Sequence, residues 1–380
     1  MNRTIKRIGK VGIRIIMIAL RVLPINRKKI VFSSFSARSY SDNPRAILEK
    51  ILEGENTYDC VVVLNDVDGV KLPNGVRVVK HNSLKYLYEM ATAKVWIDNT
   101  RKQPHILKRR NQIYIQTWHG AIFLKKIEKD VESTLDKEYI YTAKNDSKNI
   151  DVLLTNSKWE EDRMTECFWY SGKMVRTGSP RLDVLFKSEF DVKQIQEYMR
   201  LKSGTDYVLY APTFRKNNND VIFDIDLKRL IDALEEKNGK KWGVIVRLHP
   251  NIANSYNNII YSEKIINGNL ISDITEIFPV VKMLITDYSS AIFDFCITRK
   301  PAIIYAPDYE EYKKERDYHF ELNKLPFPIA ENNTQLSNII NNFDYEFYNE
   351  ELDAFLSDLD VKEDGHASER VVALINEMVK

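Results

Sequence analysis

The stretch KKIVFSSFSARSYSDNPRAILEKILEGENTYDCVVVL at residues 28–64 decides the fold class. It begins with an apolar, β-branched run at 30–35, continues with a helical pattern at 44–52 and ends with a second apolar run at 60–64. Two such runs joined by a helix are typical of parallel strands with a crossover connection, because both faces of such strands are buried. The stretch therefore predicts the start of a parallel α/β sheet.

The same alternation continues on both sides of a polar stretch at 200–206, which is a plausible linker. Further strands are predicted before it at 76–80, 93–97, 113–117, 152–155 and 174–177, with a helix at 83–91. Strands are predicted after it at 207–210, 242–248, 283–286 and 302–305, with a final helix at 366–379. We therefore expect two doubly wound α/β domains, 30–202 and 203–380, whose ligands bind beyond the carboxyl ends of the strands.

The composition is that of a folded protein. The chain has 380 residues, of which 44% are apolar and 29% charged, values that exclude a mainly disordered or collagen-like chain. This length suits two domains better than a single core. The three cysteines, Cys60, Cys167 and Cys296, are odd in number and lack C-x-x-C spacing, which favours a reducing compartment over zinc binding or a disulfide framework.

The net charge of +2 hides an asymmetry. Residues 1–29 carry nine basic side chains and no acidic one, which leaves residues 30–380 with a net charge of −7. The globular part is therefore acidic and shows no stripe of alternating basic and aromatic residues. We do not expect it to bind nucleic acid.

The N-terminal segment 1–29 is predicted to be a basic amphipathic helix. Its apolar run at 11–23 is shorter than the about 20 residues that span a bilayer, and it contains Arg14 and Arg21. In a helix, one face would carry Arg3, Arg7, Lys10, Arg14 and Arg21, with apolar side chains opposite. Such a helix could lie on an anionic membrane surface or pack on the protein body. The first alternative is favoured because no acidic residue interrupts the cations.

The motif QTWHG at 116–120 follows a predicted strand and contains a candidate general base. A histidine at a strand end, followed by a glycine that permits close backbone approach, suits proton transfer in a cleft. The nearby Lys125 and Lys126 could hold an anionic acceptor. The alternative is a hydrogen-bonded loop histidine with two solvated lysines.

Three later motifs also follow predicted strands. In YAPTFR at 210–215, Arg215 could bind a phosphate in a bidentate manner, although a surface arginine is common there. In RLHP at 247–250, Pro250 favours an extended conformation for His249. In TDYSS at 286–290, two hydroxyls at a helix start suit a pyrophosphate, although helix capping explains part of this pattern.

Other motifs with known chemistry are absent from the sequence. It contains no G-x-x-x-x-G-K-[ST], G-x-G-x-x-G, H-E-x-x-H or G-x-S-x-G. Two D-x-D pairs, at 224–226 and 358–360, lie in acidic helical sequence rather than at the ends of strands. We expect neither a metal ion nor a cofactor.

Taken together, these segments resemble the CDP-glycerol glycerophosphotransferase family, the enzymes that prime or polymerise teichoic acid. The resemblance is carried by SSF at 33–35, SYSDNP at 39–44, WHG at 118–120, LKK at 124–126, GSPRLD at 178–183, APTFR at 211–215, LHP at 248–250, TDYSS at 286–290, FDF at 293–295 and RKP at 299–301. It implies a GT-B-like fold, in which two Rossmann-like doubly wound domains face a cleft, here preceded by the N-terminal amphipathic helix. It also implies a CDP-alditol donor and a peripheral position on the cytoplasmic face of the cell membrane.

The motifs and the resemblance together predict the site residues. His119 matches the proposed catalytic base of the family. The predicted donor-binding residues are Thr213, Arg215, Arg247, His249, Asp287, Ser289, Ser290 and Asp294. The predicted acceptor-binding residues are Lys125, Lys126, Ser39 and Asn43.

The leading hypothesis is transfer of glycerol phosphate from CDP-glycerol to a hydroxyl of a membrane-linked acceptor of the teichoic acid type, with release of CMP. One alternative keeps the fold and changes the substrate: a ribitol-phosphate or capsular-polymer alditol-phosphate transferase, or a sugar-nucleotide glycosyltransferase. Another is a non-catalytic, membrane-associated scaffold. The expected partners are thus CDP-glycerol or a related CDP-alditol, a lipid-linked acceptor and an anionic membrane surface.

Overall fold

The computed structural model describes residues 3–54, 58–186, 189–215, 224–249, 259–311 and 317–380, and for residues 3–8 and 189–191 it describes the backbone alone. Pro250, expected to hold His249 extended, lies outside these residues. The chain forms two compact units. Unit 1 comprises Met1–Ala121, Ile127–Asp183 and Val361–Lys380, and unit 2 comprises Ile122–Lys126 and Val184–Asp360.

Unit 1 is built on a seven-stranded parallel sheet. Its strands are β1 (Asn26–Ser33), β2 (Asp59–Leu64), β3 (Arg77–Lys80), β4 (Ala93–Asp98), β5 (Ile113–Gln116), β6 (Val152–Thr155) and β7 (Lys173–Arg176). The helices before and between them are α1 (Arg3–Ala19), α2 (Asp42–Glu53), α3 (Leu84–Thr92), α4 (Lys137–Ser147) and α5 (Lys158–Cys167). The strand order β3-β2-β1-β4-β5-β6-β7 reverses direction between β1 and β4, as in Rossmann folds.

Unit 2 repeats this plan with a six-stranded parallel sheet. Its strands are β8 (Thr205–Ala211), β9 (Lys241–Val246), β10 (Ile265–Asn267), β11 (Met283–Thr286), β12 (Ala302–Tyr305) and β13 (Ile329–Ala330). Its helices are α6 (Glu189–Tyr198), α7 (Leu227–Asn238), α8 (Ala291–Cys296), α9 (Asn333–Asn341) and α10 (Tyr345–Asp358). The order β10-β9-β8-β11-β12-β13 has its reversal between β8 and β11.

The final helix, α11 (Ala367–Val379), belongs to unit 1. Its apolar residues Val371 and Ile375 are fully buried in the core cluster formed with β1 and β2. The carboxylate of Asp183 accepts hydrogen bonds from the backbone N–H groups of Ala367 and Ser368, at 3.0 and 2.7 Å. This differs from the predicted C-terminal domain of 203–380, because the apolar face of α11 completes the first core rather than the second.

A second short segment also departs from the predicted boundaries. Ile122–Lys126 leaves unit 1 and belongs to unit 2. There it pairs with the backbone of residues 317–319: Lys126 N–H donates to Asp317 O at 2.9 Å, and His319 N–H donates to Leu124 O at 2.8 Å. The chain therefore enters unit 2 immediately after the loop that carries His119.

The strand predictions are confirmed, since each predicted strand overlaps an observed one. Among the strands in the described residues, the short strands β10 and β13 are the two that were not expected. The three cysteines are free thiols and buried. Among the helices that the structure describes, none combines the length and apolarity required to span a bilayer.

Candidate active site

His119 lies three residues beyond the end of β5, close to the point where the strand order of unit 1 reverses. Its Nδ1 is 2.7 Å from the backbone oxygen of Asn99. A carbonyl oxygen can only accept, so Nδ1 carries the proton and Nε2 keeps a lone pair. This arrangement orients the imidazole as a general base.

The charge state of His119 also suits a base. Burial lowers the pKa of the imidazole below its ordinary value of 6.5, while Asp42 raises it and Arg181 lowers it. Arg181 donates to the Asp42 carboxylate at 3.2 Å and to the backbone oxygen of His119 at 3.1 Å. At neutral pH the imidazole is therefore uncharged and able to accept a proton.

The turn after β1 adopts an unusual conformation beside this histidine. Phe35, Ser36 and Ala37 all have positive φ angles, of 49°, 56° and 65°, at a cost of about 1–2 kcal/mol per residue. The Phe35 ring contacts the His119 ring edge-on, with centroids 5.6 Å apart. Strain of this kind is retained where the surrounding structure enforces it, often at functional sites.

Asn99 is the residue that holds this arrangement together. Its side-chain oxygen accepts from Phe35 N–H at 2.7 Å, and its side-chain nitrogen donates to Asp42 at 2.9 Å. Its backbone oxygen binds His119, and the residue is fully buried. Sequence reasoning missed Asn99, because the decisive group is a main-chain carbonyl that any residue type would supply.

The predicted acceptor residues lie in different places. The buried side chain of Asn43 donates to the backbone oxygens of Thr117 and Trp118, at 3.3 and 3.1 Å, and so supports the loop that carries His119. Ser39 is hydrogen-bonded to Ser41, with 2.7 Å between the hydroxyl oxygens. Lys125 and Lys126 belong to unit 2, where Lys126 is 3.5 Å from Asp317.

Arg215 of unit 2 lies at the centre of a buried polar cluster. Its guanidinium binds Asp308 through two nitrogens, at 2.7 and 3.1 Å, and lies 2.8 Å from the Asp287 carboxylate. Asp287 in turn accepts from the backbone N–H of Thr213. The guanidinium of Arg215, which was predicted to bind a phosphate, thus binds two carboxylates in this structure. These contacts fix the chain after β8 relative to the chain after β11.

Arg247 also has protein partners. Its guanidinium donates to the backbone oxygens of Gly268, Ile271 and Ser272, and burial lowers the pKa of the group. The imidazole of His249, two residues on, is exposed, and its centroid is 6.0 Å from that of the Phe214 ring. Arg247 therefore secures the strand exit, and His249 is the group that faces outward.

The two serines before α8 have separate roles. Ser289 Oγ accepts from the N–H of Ala291, the first residue of α8, at 3.2 Å, and Ser290 Oγ accepts from Leu124 N–H at 3.4 Å. Each hydroxyl has a proton of its own that such a contact does not use. Asp294, in the first turn of α8, is buried.

One aspartate of the D-x-D pairs has a structural role. Asp226 caps α7 by accepting from Arg229 N–H at 2.9 Å, and Asp358 is the last residue of α10. Within the described part of the chain, no group of three or more histidine, cysteine, aspartate or glutamate side chains is arranged to hold a metal ion.

Two sheets of Rossmann order, an oriented histidine base and hydroxyl groups at the strand ends are the features of a GT-B-like, nucleotide-dependent transferase. The sequence profile of the CDP-Glycerol:Poly(glycerophosphate) glycerophosphotransferase family matches residues 15–377. The chain belongs to that family. The predicted family and the reaction class, glycerophosphate transfer from CDP-glycerol, are thereby confirmed.

Individual proteins agree with this assignment. The chain is 29% identical over 377 residues to the teichoic acid poly(glycerol phosphate) polymerase of Bacillus spizizenii W23, covering 95% of each chain. It is 29% identical over 390 residues to the teichoic acid glycerol-phosphate transferase of Staphylococcus aureus NCTC 8325, covering 98% of this chain and 99% of the other. A structure of a histidine-to-asparagine variant of the wall teichoic acid polymerase TagF with CDPG superimposes with a TM-score of 0.86 at 26% identity, over 99% of this chain and 97% of that one.

Proposed function

We propose that the protein transfers glycerol phosphate from CDP-glycerol to a hydroxyl of a membrane-linked acceptor of the teichoic acid type. His119 Nε2 accepts the proton of the acceptor hydroxyl, whose oxygen attacks the phosphorus atom that bears glycerol. The bond between this phosphorus atom and the bridging oxygen of the pyrophosphate breaks, and CMP leaves with the bridging oxygen. The observation that carries this assignment is the hydrogen bond from His119 Nδ1 to Asn99 O, since it leaves Nε2 unprotonated.

The donor half of the proposal lies on unit 2. His249, Ser289 and Ser290 supply the groups that contact the pyrophosphate, through the outward imidazole and the two hydroxyls. The other predicted donor-binding residues act as positioning residues, because each has a protein partner or a buried side chain. They are Arg215, Arg247, Thr213, Asp287 and Asp294. We expect Arg215 to act through Asp287 rather than on phosphate directly.

A donor panel tests the assignment. With the purified protein and a glycerol phosphate-terminated acceptor, we expect CMP release to be fastest from CDP-glycerol, slower from CDP-ribitol and absent with UDP-sugars as donors. The measurement is nucleotide release by anion-exchange chromatography. Turnover of UDP-sugars alone would identify a glycosyltransferase, and no release from any donor would support the scaffold alternative.

The membrane part of the proposal is carried by α1 and the turn that follows it. Exposed apolar side chains recur with helical spacing at Val11, Ile15, Ile18 and Val22, with exposed fractions of 54%, 62%, 52% and 86%. Met17, on another face, is 1% exposed and packs on the protein body. The packing of Met17 supports a helix that lies on the protein body. The outward apolar stripe supports a helix that also binds a membrane surface.

We expect Val11→Ser, Ile15→Ser and Ile18→Ser together to abolish co-sedimentation with phosphatidylglycerol vesicles. Burying such side chains in the interface contributes about 1.5–3 kcal/mol each, and nearby cations about 1 kcal/mol each on an anionic surface. The matched control changes three exposed apolar residues of unit 2, Ile260, Leu270 and Phe347, to serine. Equal sedimentation of the two triple variants would remove α1 as the anchor. Point substitutions are preferable to truncation at residue 29, because β1 begins at Asn26.

A further inference from the structure

A cavity of about 310 Å³ opens beside His119 within unit 1. Its wall includes Ser36, Gln103, Trp118, Tyr139 and Thr142, residues that come from the turn after β1, the chain after β4, the chain after β5 and α4. Because Nδ1 of His119 is bound to Asn99, the unprotonated Nε2 is the nitrogen that remains for a ligand in this cavity. None of the acceptor residues predicted from the sequence is among those that line it.

The charges around this cavity do not suit a phosphate. The cation on its wall, Arg101, is bound to Glu128 at 2.6 Å and to Asp146 at 3.4 Å, and its guanidinium stacks on Phe168 at 3.5 Å. Glu138, also on the wall, is paired with Lys10 of α1. An anion in this place would meet a guanidinium whose charge is already balanced by two carboxylates, so an uncharged group fits better.

The remaining groups suit hydroxyl-bearing ligands. Gln103 and Thr142 offer an amide and a hydroxyl for which the structure records no side-chain partner among the residues it describes. The Trp118 indole supplies an apolar wall. A few polar groups placed against an aromatic surface are typical of sites for small polar organic ligands.

The rim of the cavity leads to α1. Lys10 of α1 forms an ion pair with Glu138 of α4, and so this lysine lies next to the cavity wall. A ligand with an uncharged end in the cavity would therefore have its phosphate near Lys10. This order of charges matches an acceptor that is anchored in an anionic membrane.

We propose that this cavity binds the terminal, uncharged polyol of the acceptor and presents its hydroxyl to His119 Nε2. The phosphate that follows this polyol remains outside the cavity, beside the Lys10 edge of α1. The proposal rests on the proposed function for the role of His119. In this proposal the protein selects its acceptor by binding the hydroxyl groups of the polyol. The sequence-based prediction was instead that Lys125 and Lys126 bind the acceptor phosphate.

The test uses glycerophosphoglycerol, the smallest phosphodiester with a free polyol at each end, as acceptor and as binding probe. Gln103→Trp places a large side chain in the cavity from an exposed position. We expect that the rate of CMP release then no longer saturates with glycerophosphoglycerol, while KM for CDP-glycerol stays unchanged. Gln103→Ala removes one hydrogen bond and is expected to raise KM for the acceptor about two- to tenfold. The matched control is Gln194→Trp, at an exposed position on α6, which is expected to behave as wild type.

Saturation-transfer NMR with the same probe separates the two proposals. We expect glycerophosphoglycerol and glycerol to bind the wild type and not Gln103→Trp, and inorganic phosphate not to displace them. Equal binding to the wild type and Gln103→Trp overturns the cavity assignment, whatever the rate of CMP release. A wild type that binds the probe but releases no CMP from CDP-glycerol overturns the proposed function instead.

Discussion

His119→Ala is expected to lower the rate of CMP release from CDP-glycerol by about 10²–10⁴-fold, the usual contribution of one general base. The substitution removes the Nε2 lone pair and leaves the groups of unit 2 in place. KM for CDP-glycerol should therefore change little, and the loss should appear in kcat. The matched control is His366→Ala, which alters an exposed histidine of the same unit at the start of α11.

The pH profile offers a second measurement on the same base. Burial lowers the pKa of His119, so the acid limb of kcat/KM should lie below pH 6.5. Asp42→Asn removes the carboxylate that raises this pKa and leaves Arg181, which lowers it. The acid limb should then move to still lower pH, with little change in rate at pH 8.

Asp42→Asn suits this purpose on structural grounds. Asp42 has a φ of 62°, a conformation that asparagine also tolerates, and the new side chain keeps an oxygen for Asn43 N–H and Asn99. An acid limb that moves to higher pH would contradict the assignment of the base. So would wild-type turnover in His119→Ala.

Arg101→Leu is expected to lower the free energy of unfolding of unit 1 by about 3–5 kcal/mol, the cost of breaking a buried ion pair from one side. The side chains of its partners Glu128 and Asp146 are 2% and 0% exposed. Without Arg101 they would be two buried carboxylates near each other, with no cation between them. Urea unfolding followed by circular dichroism measures the loss, with the transition of each unit fitted separately.

The pH dependence of this loss has a definite sign. Burial raises the pKa of Asp146 from 3.8 to about 6. Between these values the folded state binds a proton that the unfolded chain does not, so this group adds stability as the pH falls. Removing Arg101 takes away a charge that lowers this pKa, and the deficit of Arg101→Leu should therefore shrink between pH 7 and pH 5.

A surface ion pair provides the control for Arg101→Leu. Arg299 pairs with Asp353 in unit 2, and both side chains are about half exposed, at 48% and 63%. Arg299→Leu should change the free energy of unfolding by less than about 1 kcal/mol. Equal losses of unfolding free energy in the two variants would show that a buried ion pair contributes no more to stability here than an exposed one.

The strands could be predicted from the sequence because their residues are buried on both faces. Strands such as Val152–Thr155 and Met283–Thr286 are wholly buried, and they appear in the sequence as continuous apolar runs. Ile265–Asn267 and Ile329–Ala330 lie at the edges of the second sheet. Such short edge strands carry too few residues to form a recognisable pattern.

The position of His119 could be predicted, whereas its environment could not. A histidine and glycine after an apolar strand are visible in the sequence, but the carbonyl of Asn99 that fixes the tautomer carries no residue-specific signal. For Arg215, the residue type suggested a ligand, but the sequence could not show which group the side chain binds. An arginine suited to bind phosphate in a bidentate manner is equally suited to bind a carboxylate, and only the structure shows Asp308 and Asp287 as its partners.

The placement of α11 has a consequence for the order of events during synthesis. Domains generally fold as units while the chain is being made, starting from the N-terminus. The first core of this protein includes Val371 and Ile375, which are translated only after all of unit 2. The unit whose translation begins first therefore cannot complete its core until the whole of unit 2 has been translated.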